Sequence, residues 1–346
     1  MVLIINPQTA SKLLSLTLPG IILGKKKTDP TSWRVLSDIL SGKTKRPHNK
    51  TVTKIIEKIS HAQKDKQPYD KIINDINEIP DDYLWEPFIY GFVSGRKNVD
   101  PSYNEQKDLF IVEISNLDKL SVNTIKKSKK SKKPSIIKNE IYLWPLGRIP
   151  TLTEMADDID TRSIESTVKT SSPTFIVTSL YLMACWSIES FGENARSTMA
   201  SLLPKERNGQ IVRPIRNWLE CIKEQRNLST AVSLSDYFLR PNSEHEDIET
   251  LRRIFRGWWN NQKVPTWSET HRISQSLNLD HKDKKPDDIS FSIQEIIGMI
   301  RIMDHLLNMS FHIKFKYLPN YNSMQPFLDF DQIYAYAESR KSALEI

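Results

Sequence analysis

The 346-residue chain has 38% hydrophobic and 26% charged side chains, enough apolar content for two or three domains and too much for a wholly disordered polymer. Its opening, MVLIINPQTASKLL, has no basic start and meets Pro7 early, and its two cysteines, Cys185 and Cys221, stand well apart. A secretory leader and a disulfide framework are therefore not expected, and a reducing, cytoplasmic setting is. The net charge of +7 is uneven: residues 1–150 hold 26 Lys and Arg against 16 Asp and Glu, and the remainder 23 against 26, so a polyanion such as nucleic acid is the expected partner of the early part.

Glycine is scarce and apolar residues recur at helical spacing, which predicts a mainly α, multi-helical protein. Helices are expected near 30–41, 48–62, 81–94, 172–203, 212–226, 247–260, 267–278, 291–310 and 328–343. Across the first two of these stretches, WRVLSDILSGKTKRPHNKTVTKIIEKI (33–59) reads as helix, basic turn and helix. Next come LFIVEIS (109–115) and IIKNEIYLW (136–144), which are open to a second reading as the strands of a small β hairpin near 109–144. Between them the run IKKSKKSKKPS shows no apolar face; Lys119 to Lys138 includes eight lysines and no acid, and an extended linker is expected, serving as a phosphate-binding arm or a solvated tether. PTLTEMADDIDTRSIESTVK (150–169) repeats the cadence of helix, turn and helix, but Asp157, Asp158 and Asp160 would repel phosphates, so a structural role is expected. FIVTSLYLMACW (175–186) is too short to span a bilayer and reads as a core helix; no membrane association is expected.

These boundaries divide the chain into an N-terminal helical domain (1–118), a basic linker (119–138), a central helical domain (139–230) and a C-terminal helical domain (231–346). No Walker loop, Rossmann fingerprint, nucleophile elbow, zincin helix or paired-cysteine metal site occurs, so neither an enzyme activity nor a cofactor or metal is expected. His245, Glu246 and Asp247 read as a helix cap rather than as metal ligands.

The most informative segment is LRRIFRGWWNNQKVPTWSETHRISQSL (251–277). Ile254, Phe255 and Trp258, with Ile273 and Leu277, give two short helices a common buried side. Arg252, Arg253 and Arg256 fall on the other surface. Pro265 ends the connection, and Thr266 or Trp267 opens the next helix with Glu269 in its acidic first turn. Shifting back 218 residues without a gap places Arg34 on Arg252, Leu36 on Ile254, Pro47 on Pro265 and Ile55 on Ile273, so the two segments are either an internal duplication or two similar hairpins.

On these residues the chain resembles the lambda-repressor/Cro-like helix-turn-helix family, over 232–280 and more loosely over 30–60. In WNNQKVPTWSETHRISQSL, Asn261 stands in the place of the family's turn glycine and Ser274 in that of its small residue. VSLSDYFL (232–239) takes the place of the positioning helix. The resemblance implies sequence-specific binding of double-stranded DNA, by a transcriptional regulator or the targeting component of a mobile-element or phage-related system. It implies base or phosphate contacts from Arg252, Arg253 and Arg256 and backbone contacts from Asn260, Asn261 and Lys263. In the earlier segment Ser32 and Arg34 take the base-facing places, with Lys43, Lys45, Arg46 and Lys50 near phosphates. A protein partner or a homodimer is compatible with this reading. The competing expectation is a helical interaction or scaffold protein whose basic arm binds RNA or an acidic partner.

Overall fold

A computed structural model describes Trp85, Glu86, Ile89, Val93, Lys97, residues 100–238 and 248–266, Glu269, Ile273, and residues 286–312 and 322–345. The early segment with Ser32, Arg34, Lys43, Lys45, Arg46 and Lys50, its proposed duplication, and the cap at His245–Asp247 lie outside the described residues. The fold is mainly α, with one small antiparallel hairpin among the described residues.

Helix α1 (Leu109–Ser131) corrects two expectations at once. Its N-terminus is capped by Asp108, whose carboxylate accepts the Ile111 N–H at 3.1 Å. Ile114, Leu117, Ser121, Thr124 and Ser128 are buried along it, spaced alternately three and four residues apart as one helix face requires. The stripe continues in small hydroxyl residues where the leucines and isoleucines stop. For that reason the lysine run seemed to have no inward face, yet it is helical: Lys126, Lys127, Lys129 and Lys130 are exposed on α1, with Lys132 and Lys133 in the turn that follows. Helix α2 (Ser135–Leu143) occupies the second supposed strand, so no hairpin forms near 109–144. β-branched residues in both segments pack as helix faces, tertiary contact overriding their strand preference.

After α3 (Pro150–Asp157) and α4 (Ile164–Thr170) comes α5 (Ser172–Phe191), and α6 (Ala195–Leu202) follows a single 3-10 turn. Gly192 breaks the run at φ 52°, a left-handed conformation that glycine adopts without a Cβ clash. Together Thr174–Leu202 is long and apolar enough to cross a membrane by length and composition alone, but 61% of its apolar window is buried within the protein, as in a core helix. The acidic loop before α4 is structural: the Asp160 carboxylate accepts the Arg162 backbone N–H at 2.9 Å and its Nη2 at 2.7 Å.

The described residues form two compact units. The first runs to Glu189 and resumes at Asp329, including α12 (Phe330–Glu345). Its core holds Leu109, Ile114, Leu117, Leu180 and Tyr181. Arg340 on α12 donates to the buried Glu113 carboxylate at 2.8 Å, and Lys341 Nζ lies 2.8 Å from Glu189, whose carboxylate also accepts the Leu109 N–H. The second unit contains Ser190–Phe315 and Tyr321–Leu328. It comprises α6, strands β1 (Lys205–Arg207) and β2 (Gln210–Val212), α7 (Pro214–Gln225), α8 (Ala231–Phe238), α9 (Ile248–Trp259), α10 (Pro286–His312) and the single turn α11 (Gln325–Leu328). Trp218 stacks on Phe238 at 6.1 Å, and Leu202, Ile215, Phe255, Trp258, Ile297 and Met303 complete its interior. The boundary at residues 189 and 190 falls within the last turn of α5, and the basic segment expected to separate domains lies inside the first unit as part of α1.

Candidate nucleic-acid interface

Helix α9 is held from one side. Leu251, Phe255 and Trp258 are buried at i, i+4 and i+7, and Ile254 is half-buried. Phe255 meets the Trp258 ring at 5.9 Å and the Trp259 ring at 6.0 Å. Opposite this apolar side, Arg253 and Arg256 are exposed and Arg252 is half-exposed. The Arg253 and Arg256 guanidinium groups are open to solvent, whereas that of Arg252 is half-exposed and meets a carboxylate of the neighbouring helix α8.

The turn after α9 is built by its own residues. Asn261 N–H bonds to Trp258 C=O at 3.2 Å and Gln262 N–H to Gly257 C=O at 2.9 Å, with Asn261 at φ 60°. That paired closure is the Schellman motif, in which the left-handed residue is commonly Gly and sometimes Asn. The Asn261 side-chain oxygen also accepts the Arg213 N–H at 3.3 Å. Gly257 lets the Lys263 stem lie across the helix, since a Cβ there would sit 2.7 Å from Lys263 Cε. Beyond the buried Pro265, Thr266 and Glu269 exchange hydrogen bonds: the Thr266 N–H reaches the Glu269 carboxylate at 2.6 Å, and the Glu269 N–H reaches the Thr266 hydroxyl at 3.3 Å. This reciprocal capping box starts the second helix, on which Glu269 and the fully buried Ile273 are helical. Lys263 and Glu269 lie 3.8 Å apart across the turn.

Acids temper the positive face. Arg252 meets Asp236 on α8 and Glu249 on its own helix, both at 3.2 Å, and Arg256 reaches Glu249 at 3.4 Å. The Asp236 hydrogen bond, then that of Glu249, holds the Arg252 guanidinium above its ordinary pKa. Arg253 has no such partner among the described residues. Exposed pairs of this kind are weak and salt-screened, so a phosphate can displace the carboxylates.

A cleft of about 530 Å³ adjoins the C-terminal end of α9, where Asn260 and Asn261 line it beside Arg207, Asn208 and Arg216. Arg216 lies flat on the Trp259 ring, 3.4 Å from its centroid, and donates to the Trp259 carbonyl at 2.7 Å. Glu220 accepts from Arg216 at 2.7 Å and from Arg207 at 2.6 Å. Burial raises the Glu220 pKa, but the bonds from Arg216 and then Arg207 outweigh it and leave the carboxyl below its ordinary range.

Comparison with family models, with curated proteins and with solved structures gives no match. Local geometry therefore carries the functional argument. Six of the expected contact residues, Arg252, Arg253, Arg256, Asn260, Asn261 and Lys263, come together on one helix and its turn. The lysine run stands out in the sequence, but as an extended arm rather than the end of helix α1. One group of charges escaped the sequence reading, the β1–β2 hairpin with Arg207, whose signal was Asn208–Gly209: both residues have positive φ, 53° and 72°, as a two-residue type I′ turn requires.

Proposed function

We propose that the protein binds double-stranded DNA through α9, with Arg253 and Arg256 as the leading contacts and Arg252 recruited once it leaves Asp236 and Glu249. One observation carries this reading: a rigid helix, clamped by Leu251, Phe255 and Trp258, presents its arginines to solvent and runs into a self-capped turn that starts a second helix. A short amphipathic helix fixed in this way can enter a major groove, where Arg reads guanine edges and backbone amides and polar side chains meet phosphates. Asn260, Asn261 and Lys263 stand at the turn, in position for the sugar-phosphate backbone. The exposed lysines of α1, in the other unit, are by themselves a surface that attracts polyanions independently of sequence by releasing counterions. The role that follows is that of a regulator or DNA-targeting component.

Titration of a labelled pool of random 30-base-pair duplexes with the full chain tests the proposal by fluorescence anisotropy at several salt concentrations. Affinity should fall steeply with salt and fall further when Arg253 and Arg256 are both changed to Ala. Duplex binding that is absent, or insensitive to that double substitution, would refute it. A single-stranded RNA of equal length serves as the competing ligand, and stronger binding to it would favour the basic helix end of α1 as the working surface instead.

A further inference from the structure

We propose that the β1–β2 hairpin is a second phosphate-gripping element, engaging the backbone of the same duplex beyond the C-terminal end of α9. The inference rests on the duplex-binding reading above and deepens it.

Register decides which hairpin residues act together. Lys205 pairs with Val212, Glu206 with Ile211 and Arg207 with Gln210. Because side chains alternate along a strand, Lys205 and Arg207 project from one face and Glu206 from the other. Arg207, Gln210, Ile211 and Val212 line the cleft that Asn260 and Asn261 also line, so the hairpin, through Arg207 with Lys205 next along the same face, and the turn after α9 border a single concavity. Both strands carry exposed residues, and Asn208 and Gly209 bring backbone N–H groups to an exposed tip. The cleft is open and lined by side-chain amides and the Arg207 and Arg216 guanidinium groups, with their shared partner Glu220 between them as the one carboxylate of the lining. That suits an extended, hydrated polyanion better than a small apolar ligand, for which an enclosed hydrophobic lining is the rule.

Glu220 and Arg216 position Arg207. Arg216 is fixed by the Trp259 ring and carbonyl, Glu220 by Arg216, and the outer oxygen of Glu220 holds Arg207 at 2.6 Å. This chain links the end of α9 to the hairpin through side chains of one unit. The Trp259 ring has Phe255 on one side and Arg216 over it, so stacking a base there would require displacing Arg216. Phosphate, rather than an unstacked base, is the chemistry this site fits.

The test compares wild-type protein, the double variant Lys205→Ala/Arg207→Ala and the charge-keeping Arg207→Lys on the random 30-base-pair pool and on two duplexes of unrelated fixed sequence, between 50 and 200 mM salt. With about 0.9 in log–log slope per phosphate contact, the double variant should lose between one and two units of slope and about tenfold in affinity near physiological salt, equally on every duplex. Arg207→Lys, which keeps the charge, should retain most of the slope, and a loss as large as that of the double variant would contradict a phosphate contact made by charge. Wild-type binding with an unchanged slope in the double variant overturns the hairpin inference alone. A loss confined to one sequence overturns it too, since it marks base reading rather than phosphate contact. Absence of wild-type duplex binding overturns both this inference and the function on which it rests.

Discussion

Asn261 holds φ at 60° and spends its side-chain oxygen on the Arg213 N–H. Replacing it by Ala should therefore cost about 1–2 kcal/mol, combining the left-handed penalty with a lost hydrogen bond. Asn261→Gly should cost less, because the backbone preference is then met. Urea unfolding checks the order, and equal effects of the two changes would contradict it. Thr266→Ala removes one arm of the capping box and should cost about 1 kcal/mol by the same measurement. Glu220 supplies a pH signature. Its folded pKa lies below the ordinary glutamate value of about 4.3, so its ion pairs stabilise the fold above that value and are lost as pH falls through the folded one. The stability difference between wild type and Glu220→Gln should be full near pH 7 and shrink below about pH 4; a flat difference would show that the Arg207 and Arg216 pairs contribute nothing. At this scale the sequence was legible where chemistry is local. Asn261, Pro265, Thr266 and Glu269 announce a turn through the atoms they carry, with no help from distant residues.

At the scale of elements, α9 is a helix whose partners were harder to see. Its apolar period marks the buried side, but Asp236 on α8 lies 16 residues away in sequence from Arg252, and only folding reveals that it takes up part of the positive charge. Removing the competing acids should sharpen the proposed activity: Glu249→Gln, and Asp236→Asn to a smaller degree, should tighten duplex binding severalfold at low salt, with the gain fading as salt screens the pairs. Weaker binding in Glu249→Gln would mean that Glu249 orders the arginines rather than competing for them. The errors at α1 and α2 also have an element-level cause. Ile and Val in short runs satisfy the strand template, and the inward Ser121, Thr124 and Ser128 hid the helical period from a search for apolar residues. In the hairpin the opposite holds: its strands are three residues each, too short for a periodic pattern, and the Asn-Gly turn was the usable signal.

For the whole molecule, contacts distant in sequence tie the C-terminal helix into the first unit. Arg340 and Glu113 are 227 residues apart, with Glu113 only 1% exposed. Arg340→Met would strand a buried carboxylate and should cost about 3 kcal/mol in urea unfolding; a loss under about 1 kcal/mol would show that water solvates Glu113. Such a pairing leaves no trace in local periodicity, which is why the first unit could not be outlined from the sequence. The early excess of positive charge was legible from composition, whereas its display on the outside of a helix was not.

The central claim, that the clamped arginines of α9 read duplex DNA, is tested most directly by repeated selection from random 30-base-pair duplexes, using the wild-type chain and the Arg253→Ala/Arg256→Ala variant in parallel. The wild type should converge on a shared motif containing guanines, and the variant, folded to the same thermal midpoint within a few degrees, should retain weak binding without convergence. Enrichment of the same motif by both proteins, or of none by the wild type, would contradict the claim.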